Sequence, residues 1–297
     1  MLALLIAFTT PLFWQDPGSV ESADLGRAGA TPKPPLVFLR EDLSGTGPKI
    51  VVRDSEGIEW RMKGGREGQT ETFITRFVRA LGFYAEATVF SAAGKVEKVP
   101  RLKRTAGFLE ADGSYTWASF EKIEPDAKFT GSWNWRDPSL RHRRELKGLK
   151  ILVMLFSNWD NKDSRDVHAG SNTSILQFSD GRTFYFVNDW GQSFGSWGRF
   201  YGRTNWNCKD YEQQTPQFVL GVRKGLVRFG YTGSHTMLFR HDIGVEDVRW
   251  LMQYLGRVTD EQVRAGLKSA GATQAEEDCF ARALRARIEQ LRQITLQ

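Results

Sequence analysis

The spacing of apolar residues divides the chain into a strand-rich first part and a helical last part. Short alternating runs at 49–53 and 58–63 flank the turn-forming residues 54–57, which predicts a β-hairpin. Over 70–81 the apolar residues recur on one helical face, and Gly82 follows where a helix-ending glycine is expected. The pattern therefore predicts a hairpin followed by one amphipathic helix.

The middle of the chain contains both strand-like and helix-like spacing of apolar residues. Residues 89–109 and 115–123 have strand-like segments, so the first part is predicted to be a small, mainly β lobe with one helix. Residues 140–156 predict a long helix whose second half is buried. The runs 175–178 and 183–187 predict a second hairpin around an Asp-Gly turn.

The last hundred residues change from irregular to helical. Residues 196–240 are rich in glycine and aromatic residues without a clear period, so loops and short pieces are expected. The stretch 245–255 has an apolar stripe at helical spacing. Capping boxes at 259–262 and 273–276 predict two more helices, the last over about 274–293. These elements predict an α+β fold.

The chain is predicted to have three sections. Residues 1–14 are apolar but too short to span a bilayer, which is typical of a secretory signal peptide, although a basic start is missing. Together with a linker over 15–35, expected to be disordered, they form a signal-like section. A β-rich N-lobe over 36–130 and a mainly helical C-lobe over 131–297 follow. We expect a secreted or periplasmic protein without a stable membrane span; a cytoplasmic protein is the alternative.

Composition narrows the class of partner. The 297 residues are 40% apolar and 26% charged, and the net charge of +6 suits an anionic ligand as well as ordinary solubility. The basic run 141–144 is interpreted as a solvated helix start, so no nucleic-acid partner is expected. Cys208 and Cys279 are too few for a zinc cluster and leave one disulfide possible. The short glycine-containing loop 44–47 is weak evidence for phosphate binding.

Two acidic residues each follow an apolar run. Asp160 comes after the predicted buried helix, and Asp189 comes after the second hairpin in Asp-Trp-Gly, which is similar to the D-F-G signature. A kinase site needs two such acids, one to orient the attacking hydroxyl and one to hold the metal on the nucleotide phosphates. The residues crowding the first loop are Asn158, Asn161, Lys162, Asp163, Arg165 and Asp166.

A lysine stands at the end of the first hairpin. Lys63 occupies the place of the strand lysine that contacts nucleotide phosphates in kinases, and Glu71 in the next helix is its expected ion-pair partner, with Glu67 as a competitor. Each residue also has an ordinary interpretation: an exposed lysine, a helix-dipole acid, or, for Asp160 and Asp189, a cap or turn residue. Their order along the chain favours function. Lys162 is expected to neutralise phosphoryl charge, and Asn158 to brace the loop.

The run from about 39 to 291 resembles a group of uncharacterised bacterial proteins, often with signal peptides. Their pattern includes W-x-V-K, E-T-x-x-x-R-L-x-W-A-x-G-Y, N-W-D-x-K-D-x-N-N and D-x-G-x-S-F-G. Here the four motifs correspond to 60–63, 71–84, 158–166 and 189–195. The group is similar to the atypical kinase fold of HipA-type kinases, phosphatidylinositol kinases and secretory-pathway kinases.

This resemblance implies a two-lobed fold with an ATP-binding cleft and Mg²⁺ or Mn²⁺. One departure is Arg165, because related kinases have an Asn or acid at that position, five residues after the catalytic Asp, as a second metal ligand. Asp166 would substitute only in a reshaped loop. The expected site residues are Asp160, Lys162 and Asn158 for catalysis, Lys63 and Glu71 for the nucleotide, and Asp189 and Asp166 for the metal.

Three functions are compatible with these residues. The first is an ATP- and metal-dependent phosphotransferase that acts on a protein or small-molecule hydroxyl acceptor. The second, favoured by Arg165, is a catalytically inactive, pseudokinase-like binding module of the cell envelope. The third is an envelope structural protein without a nucleotide site.

Overall fold

The computed structural model describes residues 11–27, 29–43, 47–103, 108–166, 171–198 and 202–296. It is a mixed α+β fold, as the apolar periodicity predicts. The elements of its first part are β1 (Leu36–Asp42), β2 (Lys49–Arg53), β3 (Glu59–Gly64), α1 (Glu67–Ala80), β4 (Thr88–Glu97) and β5 (Ser114–Lys122).

These five strands close into a barrel in the order β1-β2-β3-β5-β4. Trp60, Met62 and Phe120 fill its interior and are almost fully buried. Strand β3 pairs antiparallel with β5, which places Arg61 opposite Glu121 and Lys63 two pairs further along, opposite Ser119. Because side chains alternate across a strand, Arg61, Lys63 and Glu121 leave on the face opposite the apolar interior. The barrel therefore presents charged side chains on the outer face of β3 and β5.

In the residues described, the second part combines two small sheets with six helices. Its elements are β6 (Ala127–Gly131), α2 (Arg144–Leu155), β7 (Thr173–Phe178), β8 (Thr183–Val187), α3 (Cys208–Gln214), β9 (Val219–Arg223), β10 (Leu226–Phe229), α4 (Thr236–Phe239), α5 (Val245–Leu255), α6 (Asp260–Ser269) and α7 (Gln274–Thr295). Strands β6, β7 and β8 form one sheet, and β9 pairs with β10. Strand β6 crosses the predicted lobe boundary at residue 130 and pairs with β7. The proposed division at that residue stays a prediction.

Helix α1 joins the barrel to the larger core. Its rings Phe73 and Phe77 are fully buried, and the Phe77 ring lies 5.2 Å from that of Phe156 at the end of α2. Phe194 continues this core and packs on Phe280 of α7 at 4.7 Å. Since α1 is buried between the two parts, acids on this helix occupy fixed positions relative to both.

Several predicted boundaries are corrected. The long helix begins at Arg144 instead of residue 140, because Asp137 forms a turn with the amide and hydroxyl of Ser139. Helix α1 starts at Glu67, three residues earlier than predicted. The hairpin of β7 and β8 and both threonine capping boxes are confirmed. None of the helices described here is long and apolar enough to cross a membrane.

The expectation of a disordered linker is wrong for its described residues. Val20 and Leu25 are at most 2% exposed, and Gln262 donates to the carbonyl of Val20 at 2.8 Å. Within the signal-like stretch, Phe13 is also buried, and the amide of Leu12 donates to Thr183 of β8 at 3.0 Å. Long-range packing decides this segment, since its own composition is weakly apolar. Residues 1–10 and the loop residues 44–46 lie outside the described part of the chain.

Candidate functional site

Lys63, at the end of β3, is held by two acids. Its Nζ lies 2.7 Å from Glu121 Oε1 on β5 and 3.1 Å from Glu71 Oε1 on α1. Of the two acids considered for Lys63, it is therefore Glu71 and not Glu67 that forms the ion pair. Both carboxylates are about 5% exposed or less, so Lys63, together with Arg61, which lies 3.0 Å from Glu121 Oε2, compensates their burial.

The three groups change each other's proton affinity. Burial raises the pKa of Glu71 to about 8, and Lys63 opposes that rise while Glu121 and Asp189 add to it. The pKa of Glu121 stays below its usual value because Lys63 and Arg61 outweigh its burial. The pKa of Lys63 is well above its usual range, since the nearby carboxylates outweigh desolvation. Lys63 is thus charged, while Glu71 largely keeps its proton at neutral pH, so a further cation bound nearby would favour release of that proton.

The loop after α2 is fixed by its asparagines. Asn158 donates from Nδ2 to the carbonyl of Asp189 at 3.0 Å and accepts the amide of Asp160 at its Oδ1 at 3.2 Å. Asn172, which precedes β7, donates to the carbonyl of Asp160. Lys162 pairs with the Asp160 carboxylate at 3.0 Å. Asn158 therefore ties the two predicted acid loops together, and the Asp160 carboxylate points toward a lysine.

A buried arginine holds the end of α2, just before this loop. Arg287 of α7 donates to the carbonyl of Leu155 and to Ser157 Oγ, both at 2.8 Å, and to the carbonyl of Tyr211 at 2.6 Å. These bonds satisfy backbone groups that a helix end leaves open. Ser157 has φ of 51°, a conformation that turns the chain sharply into the Asn158 loop.

Asp189 and Glu67 face each other across Gly191. Asp189 Oδ1 accepts the Gly191 amide at 2.9 Å, and Gln192 donates to Glu67. A Cβ on Gly191 would lie 3.2 Å from both Asp189 Oδ1 and Glu67 Oε2, so both oxygens border one small volume. Desolvation, with the charges of Asp189 and Asp160, raises the pKa of Glu67 to about 6. Carboxylate oxygens placed this way suit Mg²⁺ or Mn²⁺.

The second half of the loop makes a separate network. Arg165 donates to both oxygens of the buried Asp163, at 2.8 and 2.6 Å, and Asp163 also accepts the amide of Trp135 at 3.1 Å. Asp166 accepts the Asp163 amide at 2.8 Å and lies 3.0 Å from His235 Nε2. Among the interactions described for the chain, those of Asp166 involve no group of the Asp189 turn. Its role as a metal ligand stays a prediction.

A cavity of about 370 Å³ borders Lys63. Besides barrel residues it is lined by Glu86, by Phe129 and Gly131 of β6, by Ser174 of β7 and by Asn188, which precedes Asp189. Of the residues that line this cavity, Asn188 has a buried Oδ1 without a hydrogen-bond partner among the described residues. Buried polar atoms are normally paired, so this oxygen suits a ligand with a donor group or a bound cation. The residues present therefore fit a polar ligand that carries a cation.

Three contributions were missed from sequence. Glu121 lies in β5, and only the β3–β5 register shows that it faces Lys63. Glu67 was considered only as a competitor for Lys63, whereas it lies beside Asp189. Arg287 is more than a hundred residues from the loop it supports. Alternation in β5 places Glu121 on one face, but no local signal identifies its partner.

Comparison with known proteins finds similarity only to solved structures, at low sequence identity. No family model and no curated protein matches the chain. A crystal structure of the Golgi casein kinase is 12% identical, covering 90% of this chain and 74% of that one, with a TM-score of 0.46. A second structure, of the Golgi casein kinase with Mn/ADP bound, is 14% identical over 90% and 73%, with a TM-score of 0.42. At this level of similarity the chemistry rests on the geometry described above.

Proposed function

We propose that this chain is a phosphotransferase that uses a nucleoside triphosphate, ATP, with Mg²⁺ or Mn²⁺. The observation that carries the proposal is Lys63, paired with Glu71 and Glu121 beside the carboxylates of Glu67 and Asp189. A charged lysine next to an unneutralised acidic group matches a ligand that contains both phosphates and a divalent cation.

The residues divide the work by charge. Lys63 would bind phosphate oxygens, with Glu71 fixing the position of its side chain. Asp189 and Glu67 would hold the divalent cation, which supplies charge neutralisation on the phosphates when bound. In this proposal Glu67 is the second metal ligand, a role for which the sequence analysis named Asp166.

Asp160 would accept the proton of the acceptor hydroxyl. Its partner Lys162, at 3.0 Å, would neutralise charge on the transferred phosphoryl group while Asp160 orients the hydroxyl. Asn158 and Asn172 hold the Asp160 backbone, and these bonds would orient Asp160 as the base before the acceptor binds.

The test is a thermal-shift titration with ATP and either Mg²⁺ or Mn²⁺, followed by turnover assays. Wild type is expected to gain about 2.7 kcal/mol at a ligand concentration one hundred times Kd. Asp189→Asn and Glu67→Gln should lose the metal-dependent part, whereas Asp112→Asn, an exposed barrel acid, should behave as wild type. Asp160→Asn should bind ATP and lose turnover. Equal shifts in wild type and Asp189→Asn would refute the nucleotide site.

A non-catalytic, pseudokinase-like binding module is the second candidate. It is favoured by Arg165, which stands five residues after Asp160 and is held by Asp163, so that this position offers no second metal ligand. A metal-dependent ATP shift without phosphoryl transfer to any acceptor or to water would select this candidate over the phosphotransferase.

We also propose that the protein works in an oxidising compartment, secreted or periplasmic. Cys208 and Cys279 form a disulfide between α3 and α7. Disulfides persist mainly outside the reducing cytoplasm. This bond supports export. The test is to isolate the protein from its natural source, denature it without reducing agent and label its free thiols. Two reactive cysteines would contradict the proposal.

A further inference from the structure

A second cavity lies between the N-terminal segment and α1. It has a volume of about 310 Å³ and is bordered by residues 23–25, 27 and 29, by the last turns of α1 and by residues 87–89 at the start of β4. It shares no lining residue with the cavity at Lys63. Its charged lining consists of three arginines and one acid: Arg27, Arg76, Arg79 and Asp24.

Arg76 is the buried member of this group. It is 9% exposed, and among the described residues its guanidinium donates only to neutral acceptors: the carbonyl of Leu25 at 3.3 Å, Ser269 Oγ at 2.5 Å and the carbonyl of Thr88 at 3.5 Å. Burial lowers the pKa of Arg76, and the charge of Asp24 opposes this effect. A cation buried without a directly paired anion is costly, so this position favours an anion from outside.

The other two arginines lie at the exposed rim of the cavity. Arg79 donates to the carbonyl of Ala85 at 2.8 Å, and this single bond leaves most of its five donors available. Asp24 accepts the amides of Gly26 and Arg27 at one oxygen, at 2.9 and 3.1 Å. Among the described residues no carboxylate lies within 4.0 Å of the side-chain nitrogens of these arginines. Three positive charges against one negative leave the wall with an excess of two positive charges.

We propose that this cavity binds a phosphate or phosphate-monoester dianion. Arginine forks match the oxygens of a tetrahedral phosphate and bind them through charge-assisted hydrogen bonds. A dianion would balance the excess charge of the wall and give Arg76 its missing anionic partner. The site is separate from the proposed nucleotide cleft, but it lies on the helix that carries Glu67 and Glu71, so an occupied site links that helix to residues 23–27.

The test is a thermal-shift titration of the full chain with sodium phosphate, at ionic strength held constant with sodium chloride. Wild type should show a saturating rise in Tm. Arg27→Gln/Arg79→Gln should raise the midpoint phosphate concentration by about tenfold or more, since each charge-assisted bond contributes enough for such a factor. A matched control, Arg101→Gln/Arg136→Gln, removes the same charge from exposed positions elsewhere and should titrate as wild type.

Further arms separate this site from the nucleotide cleft. Lys63→Gln should lose the ATP-dependent shift and keep the phosphate-dependent one. A phosphate shift that disappears in Lys63→Gln but persists in Arg27→Gln/Arg79→Gln would place the anion in the cleft and overturn the proposal. No saturating shift in wild type, or equal midpoints in all variants, would also overturn it. Repeating the titration with O-phosphoserine shows whether a monoester or free phosphate binds more tightly.

Discussion

Glu71 shares one lysine with Glu121, and this unequal pairing has a consequence for pH. The folded-state pKa of about 8 lies above the 4.5 of an ordinary glutamate. The folded state therefore holds this proton more tightly than the unfolded chain does. Proton binding by Glu71 stabilises the fold fully below pH 4.5, and this stabilisation is lost as pH rises through 8.

The variant Glu71→Gln is expected to remove that dependence. Between pH 6 and 8 its Tm should fall less than that of the wild type without ligand. Thermal unfolding in a pH series measures this, with Glu97→Gln on the barrel surface as the control that keeps the wild-type slope. Parallel curves for wild type and Glu71→Gln would show that Glu71 does not titrate in this range.

Arg165 is bound to the fully buried carboxylate of Asp163. Replacing Arg165 by Ala should lower the free energy of unfolding by about 2–3 kcal/mol, because it leaves a buried charge unpaired; the partly exposed arginine puts the cost at the low end for such pairs. Arg165 also lowers the pKa of Asp163. In wild type this stabilisation is therefore present above pH 3.8 and lost only as pH falls further.

Denaturant unfolding of Arg165→Ala at neutral pH measures the loss, with the exposed Arg136→Ala as control. Metal affinity distinguishes the two roles considered for this residue. An arginine that opposes a metal ion would give tighter Mn²⁺ binding when removed, whereas an arginine that serves Asp163 leaves affinity per folded molecule unchanged.

At the scale of elements, the end of α1 meets the N-terminal segment at Gly82. This glycine has φ of +90°, and a Cβ there would lie 2.1 Å from the carbonyl oxygen of Gln15. Gly57 in the β2–β3 turn has φ of +82° and open space around its Cβ position. Both glycines therefore have a left-handed backbone conformation, but only at Gly82 would a Cβ collide with another part of the chain.

Gly57→Ala should therefore cost about 1 kcal/mol, the strain of a left-handed alanine. Gly82→Ala should cost at least about 2 kcal/mol more, because the chain of residues 11–17 must shift. Equilibrium unfolding of the two variants gives the comparison. Equal costs would mean that the N-terminal segment does not pack on α1 in solution.

At the scale of the whole molecule, the disulfide closes a loop of 71 residues between α3 and α7. The chain-entropy relation assigns about 4 kcal/mol to a loop of this length. Cys208→Ser/Cys279→Ser should therefore unfold at distinctly lower denaturant concentration. The same loss is expected for wild type in reducing agent, which should leave the double variant unchanged. Insensitivity of wild type to reduction would contradict a structural role.

The sequence determined the elements and the order of the candidate residues. Alternation in 49–53 and helical spacing in 245–255 predicted real elements because these patterns report the period of the backbone itself. The pair Lys63 and Glu71 was also predictable, since a strand end and the first turns of the next helix are close along the chain.

Only the tertiary structure decided which distant groups meet. Glu121 reaches Lys63 through strand register, and Arg287 supports the Asn158 loop through helix packing. The prediction of disorder failed for residues 11–27 because their few apolar side chains, including that of Phe13, are buried by residues far along the chain. The local sequence shows which side chains of a segment are apolar enough to be buried. Whether they are buried depends on an apolar surface elsewhere in the fold, and for residues 11–27 that surface is formed by α5, α6 and β8.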